Sequence, residues 1–97
     1  MNVLDANPDQ LRKLIKYPAI VDFRVIVDAD CKDAVEQVAA ACRSVESDGI
    51  MPLKEPPRKS RTGKYLSYKQ EVKVSSYKNL HAIYAKVGAL DCVKHIL

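Results

Sequence analysis

The chain carries only three glycines, at positions 49, 63 and 88, and each stands alone. Dinucleotide and P-loop signatures need clustered glycines that let backbone approach a pyrophosphate, so a nucleotide enzyme is not expected. The three cysteines, at 31, 42 and 92, are an odd number and form no disulfide framework. Reduced thiols in a cytoplasmic protein are the expectation. Neither CxxC nor HExxH occurs, and His81 and His95 have no partner at metal-ligand spacing, so no metal and no cofactor are expected. No apolar run approaches the roughly 18 residues of a membrane span. The opening MNVLDANPDQ lacks a basic region followed by an apolar one, so neither a signal peptide nor a membrane partner is expected.

What is present is one modest domain. Ninety-seven residues suffice for a small core, and 47% hydrophobic residues are ordinary for a globular chain. The net charge of +4 is unevenly placed. Residues 54–73 hold seven Lys or Arg against two Glu, a local +5 that leaves about −1 for the rest. A basic hairpin on a nearly neutral body suits an anionic partner, or serves as a solvated edge blunted by lysine and proline.

Residues 63–75 (GKYLSYKQEVKVS) form the clearest strand. Leu66, Tyr68, Val72 and Val74 fall on one face, interrupted by Gln70. Tyr65, Ser67, Lys69, Glu71 and Lys73 fall on the other. Gly63 suits the positive φ of a hairpin turn, and 57–63 reads as that turn. Residues 20–28 form a second alternating strand, with Val21, Phe23, Val25 and Val27 on its apolar face. Asn7 and Pro8 open a short helix that must end near Lys16, because Tyr17 precedes Pro18. Asp30 is read as the cap of the next helix, which carries the stripe Ala34, Val35, Val38, Ala39, Cys42 and Val45. Gly49 is read as its C′ residue. Residues 50–55 are read as a short edge strand, confined there by Pro52, Pro56 and Pro57. Ser76 caps a last helix with Leu80, Ile83, Tyr84 and Val87 inward and Gly88 as its stop. Residues 91–97 close the chain as a strand with Val93 and Leu97 on one side.

The order strand, helix, strand, strand, helix, strand predicts an α+β, ferredoxin-like βαββαβ fold. It has a four-stranded antiparallel sheet of order 4-1-3-2, two helices on one face and a short N-terminal helix. Residues 1–16 are expected as a helical appendage and 17–97 as the domain.

The run Gly63-Lys64-Tyr65-Leu66-Ser67, then Val72, Leu80, Ile83-Tyr84 and a closing Val93 and Leu97, resembles the small bacterial YbeD family. Tyr17-Pro18, Phe23 and Val25 fit that family's first strand. The chain departs from it in its N-terminal segment and in a longer connection from Val45 to Arg61. The resemblance implies βαββαβ architecture, no established enzymatic activity, and a likeness in fold to ACT domains, regulatory modules that bind amino acids at subunit interfaces. The corresponding ACT ligand position, residues 28–33, has no glycine here, which argues against a conventional amino-acid site.

Catalytic residues are not expected. Cys31 near a helix start has acidic neighbours and no histidine close in sequence to act as its base, and Cys42 reads as a core residue. The open sheet face is the expected binding surface, with Arg24, Tyr65, Ser67, Lys69 and Lys73 upon it and the basic turn Arg58, Lys59, Arg61 and Lys64 beside it. Ile20 and Ile26 on the same face call for cover. The expected function is a non-enzymatic regulatory or interaction module with a protein partner, a second copy of itself or a small-molecule ligand. The alternative is RNA binding. Residues 61–68 (RTGKYLSY) share with the RRM third-strand motif a basic start, two aromatics and an aliphatic, but lack its second-position glycine and third-position aromatic.

Overall fold

A computed structural model describes residues 15–97. The elements are β1 (Ala19–Asp28), α1 (Ala34–Val45), β2 (Arg58–Lys59), β3 (Tyr65–Val74), α2 (Tyr77–Gly88) and β4 (Val93–Ile96). The sheet order is β2-β3-β1-β4, antiparallel throughout, so the fold is the expected ferredoxin-like one. The N-terminal helix expected over 7–16 falls almost wholly outside the described residues.

β1 and β3 pair over their whole length, from Ala19 opposite Val74 to Asp28 opposite Tyr65. Alternation sends Phe23, Val25 and Val27 inward from β1 and Tyr68, Val72 and Val74 inward from β3. α1 covers them with Ala34, Val38 and Cys42, and α2 with Leu80, Ile83 and Val87. Each fully buried large side chain contributes about 1.5–3 kcal/mol, so this single layer of contacts is the main stabilising term. The Phe23 ring meets Tyr84 edge to face, centroids 5.1 Å apart.

The buried carboxylate of Glu46 ties three elements together. It accepts from the Ser75 backbone N–H (2.7 Å), the Ser75 hydroxyl (2.8 Å) and Asn79 Nδ2 (2.8 Å). Glu46 caps the end of α1, Ser75 follows β3, and Asn79 lies in the first turn of α2, whose Ser76 cap accepts from the Asn79 N–H. Burial alone would raise this carboxyl; the three donors outweigh it and hold it below its ordinary value of 4.5.

Four local expectations are corrected. α1 starts at Ala34 with Asp33, not Asp30, in the cap position, so residues 30–33 form a turn. Gly49 does not adopt the left-handed C′ conformation; Gly63, at φ 76°, is the positive-φ glycine among the described residues. Gly49 is needed because a Cβ there would overlap the Lys73 carbonyl oxygen, at the point where the Gly49 carbonyl accepts from the Lys73 N–H (2.7 Å). Gly88 does not stop α2 but lies inside its last turn, with Ala89 as the cap.

β4 is the fourth correction. Its register against β1 slips, with Val93 opposite Val27 but His95 already opposite Ile26, so Lys94 bulges out. The bulge reverses the alternation beyond it. Ile96, not Leu97, joins Val93 against the core, and Leu97 pairs with Arg24 through two backbone hydrogen bonds (3.1 and 2.8 Å) on the open side.

Two glycines therefore predict opposite outcomes in chemical denaturation. Gly49→Ala should destabilise by about 1–3 kcal/mol through the clash. Gly88→Ala, whose new Cβ meets nothing closer than Ile96 Cγ2 at 3.9 Å, should stabilise by roughly 0.5–1 kcal/mol. For Glu46, a lowered folded pKa gives stability that is present above pH 4.5 and lost as pH falls through the folded value. Glu46→Gln should cost about 1–3 kcal/mol at neutral pH and show a flatter stability profile below pH 4.5 in acid titrations.

Candidate functional site

The edge beside β3 departs most from expectation, and it shapes the open face. Residues 50–55 are not a strand. Ile50 makes one bridge to Val72, supported by the Met51 N–H donating to the Glu71 carbonyl (3.1 Å). The chain then leaves the sheet and returns only at Arg58 and Lys59, which pair with Ser67 and Leu66. From Ile50 to Arg58 this edge advances eight residues while β3 recedes five, from Val72 to Ser67, so three are surplus. Pro52, Pro56 and Pro57 lack the donors a ladder needs, which is why the surplus is expelled there. The segment read as a turn thus begins with a strand, and the true turn covers 60–64, closed by the Ser60 N–H to the Tyr65 carbonyl (2.8 Å).

Two anchors fix the expelled loop. Gln70, the polar interruption on the apolar face, is 2% exposed, and its Nε2 donates to the Met51 carbonyl (2.8 Å) and the Glu71 carbonyl (3.1 Å). A buried amide must find such partners, and these hold the loop's root. On the other side of the sheet Lys54 Nζ reaches Glu71 Oε1 at 3.1 Å, leaving the Glu71 side chain 13% exposed. The open face is therefore walled along one side, and a groove of about 550 Å³ lies between the loop and the C-terminal strand.

Lys54, Glu55, Pro56 and Arg58 form one wall of this groove, Ser67, Lys69 and Glu71 its floor, and Arg24, Ile26 and Leu97 its far side. Strand pairing sets like charges directly opposite: Arg24 faces Lys69, and Asp22 faces Glu71. Such pairs are unfavourable in isolation. The acids are relieved by cations, Asp22 by Lys69 (3.8 Å) and Glu71 by Lys54 (3.1 Å). Arg24 and Arg58 are left with no carboxylate at salt-bridge distance among the described residues. Glu55, also on the wall, pairs with no cation there.

Of the nine residues singled out from the sequence, the groove gathers Arg24, Arg58, Ser67 and Lys69. Tyr65 and Lys73 share the face but stand at its two ends, opposite Asp28 and Ile20. Lys59 pairs with Leu66 and so projects to the helix side, while Arg61 and Lys64 sit in the exposed turn. Sequence reasoning missed Lys54, Glu55, Pro56 and Leu97. The three prolines and the lone Gln70 were the available signals for the loop; the bulge that turns Leu97 outward had none.

The cysteines and histidines lie elsewhere. Cys31 precedes α1, and its thiol donates to Asp33 Oδ1 at 3.3 Å. That bond, with burial and the neighbouring Cys92 thiol, pushes Cys31 up to about 11. Burial does the same to Cys42, also to about 11. His81 is exposed and meets the Tyr77 ring edge to face at 4.5 Å, and His95 is exposed on β4. No three His, Cys, Asp or Glu among the described residues converge as metal ligands, and no described helix is long and apolar enough to cross a membrane.

Lys54→Ala should cost less than about 1 kcal/mol, since Lys54 is mostly exposed, yet it should free the wall. Amide exchange at Lys54, Glu55 and Arg58 should quicken while that of β1 is unchanged; equal protection in the variant would show that the ion pair does not hold the loop.

Comparison with known proteins agrees with this architecture. The solved solution structure of protein HP0495 from H. pylori superposes with a TM-score of 0.63 at 24% identity, covering 86% of this chain and 85% of that one, a likeness of fold. A UPF0250 protein from Shewanella loihica is 32% identical over 88 residues, 91% of this chain and 96% of the relative. The model of a protein family of unknown function, DUF493, matches residues 12–97. The chain thus belongs to the DUF493 family, the UPF0250 group that includes the YbeD proteins.

Proposed function

We propose that this protein is a small, non-catalytic regulatory or interaction module of the cytoplasm that works through the groove on its open sheet face. One observation carries the reading: a walled hollow of about 550 Å³ in which two arginines have no carboxylate at salt-bridge distance among the described residues, beside apolar Ile26, Pro56 and Leu97. Its size suits a small molecule or a short segment of a partner chain. The thiols accord with the non-catalytic part: at neutral pH Cys31, bonded to Asp33, and buried Cys42 stay protonated, which makes them poor nucleophiles.

Self-association is a second use of the same face, favoured by Ile20 and Leu97, each 55% exposed on it. Sedimentation of the wild type against Ile20→Lys tests it. Base stacking of the RRM kind has less to rest on, because Tyr65 lies at the sheet's end and a loop walls part of the surface the bases would cover.

The main test is amide NMR of the labelled protein with the dialysable fraction of a cell extract and, separately, with the retained fraction. The expected outcome is movement at Arg24, Ser67, Lys69 and Leu97 in the wild type and none in Ser67→Trp, whose ring fills the groove. Silence of these amides with both fractions sinks the proposal.

A further inference from the structure

Resting on the reading of the groove as a binding site, we infer its ligand class: a small organic oxoanion, with a carboxylate or phosphate head held by the guanidinium groups of Arg24 and Arg58 and an apolar body against Ile26, Pro56 and Leu97. The argument starts from the charges. The groove is lined by four cations, Arg24, Lys54, Arg58 and Lys69, and two anions, Glu55 and Glu71. Lys54 is spent on Glu71 and Lys69 leans to Asp22. The two groove cations with no ion pair among the described residues are both arginines, the side chain whose planar fork matches a carboxylate or phosphate with paired hydrogen bonds.

Placement puts one point within reach of both guanidinium groups. Ser67 stands opposite Ile26 on one side and Arg58 on the other, and in the next row Lys69 stands opposite Arg24, which is itself paired with Leu97. Strand spacing puts the Arg24 and Arg58 backbones about 12 Å apart. Side chains extended from each toward the middle meet above Ser67, whose hydroxyl is a third donor. An anion there would also relieve the unfavourable placement of Arg24 against Lys69. Ile26, beside this point, and Leu97, beyond Arg24 on the same face, offer the apolar surface that an inorganic ion would leave unused.

A second hollow provides a contrast. It lies between α1 and residues 50–53, holds about 330 Å³, and contains one arginine, Arg43, and one glutamate, Glu36. Its charges balance, so it has no surplus to offer an anion.

The test uses four probes and amide NMR on the full chain: benzoate, its neutral analogue benzamide, phenyl phosphate and inorganic phosphate. Benzoate or phenyl phosphate should move Arg24, Ser67, Lys69 and Leu97, and the better of the two identifies the head group. Benzamide and inorganic phosphate should each bind at least tenfold more weakly, one lacking the charge and the other the apolar body. Arg24→Gln and Arg58→Gln should each weaken binding at least tenfold, and Arg43→Gln should not. Both arginines are exposed, so the variants should keep wild-type spectra elsewhere. Benzamide binding as well as benzoate, or either groove variant binding like the wild type, overturns the oxoanion and leaves the groove standing. Shifts confined to Lys59, Arg61 and Lys64 overturn it too, as diffuse attraction to the turn. If no probe moves the groove while a cell extract does, the ligand class fails alone; if neither does, both readings fail.

Discussion

Ten uninterrupted pairs between β1 and β3 are the constraint on which the rest of this molecule depends. A strand has a period of two, so fixing one pair fixes the side of every other residue. That single register sends Phe23, Val25, Val27, Val72 and Val74 to the helices and leaves Arg24 and Lys69 facing each other on the other side. Core and groove are thus two faces of one ladder. A slip of one residue would bury Arg24 and expose Phe23, and the cost of burying an unpaired charge keeps that alternative out of reach. Glu46 then fixes how the layers close, because its carboxylate is shared by the end of β3 and the start of α2.

The groove depends on what the ladder does not control. β3's outer neighbour touches it at Ile50 and again at Arg58 and Lys59, and the proline segment between is held by Gln70 beneath and Glu71 above. Successive residues of one strand thus grip the same loop from opposite sides of the sheet. This is why an edge that binds so few backbone groups still presents a defined wall.

The sequence showed the ladder plainly, since both strands alternate with a period of two, broken on the apolar face only at Gln70. Element order then led to the sheet order, and Ser76 and Gly63 did what their chemistry implied. Legibility failed where geometry, not composition, decides. Gly49 looks like a helix terminator, yet its role is a close backbone approach that only the folded chain creates. Ile50 to Glu55 looks like a strand because it is apolar and follows a turn, but its prolines cannot supply the ladder. Leu97 looks like a core residue until the bulge at Lys94 reverses its side. Four of nine residues chosen from charge and alternation came together in the groove, because those four lie in its two central rows; Tyr65 and Lys73 stand at the ends of the ladder, pairing with Leu66 turns Lys59 to the other face, and Arg61 and Lys64 sit in the turn.

The three surplus residues of the outer edge separate two kinds of inheritance. Between Met51 and Arg58 the wall's backbone passes over the sheet without pairing to it, held by Lys54 on Glu71 and by Gln70 at its root, so its length and its other side chains are little constrained by the frame. Relatives with the same ladder but a shorter or differently charged passage between Ile50 and Arg58 would share this architecture and present an open face of different shape and charge. Variation of that face within one fold would then be written in a handful of positions outside the ladder.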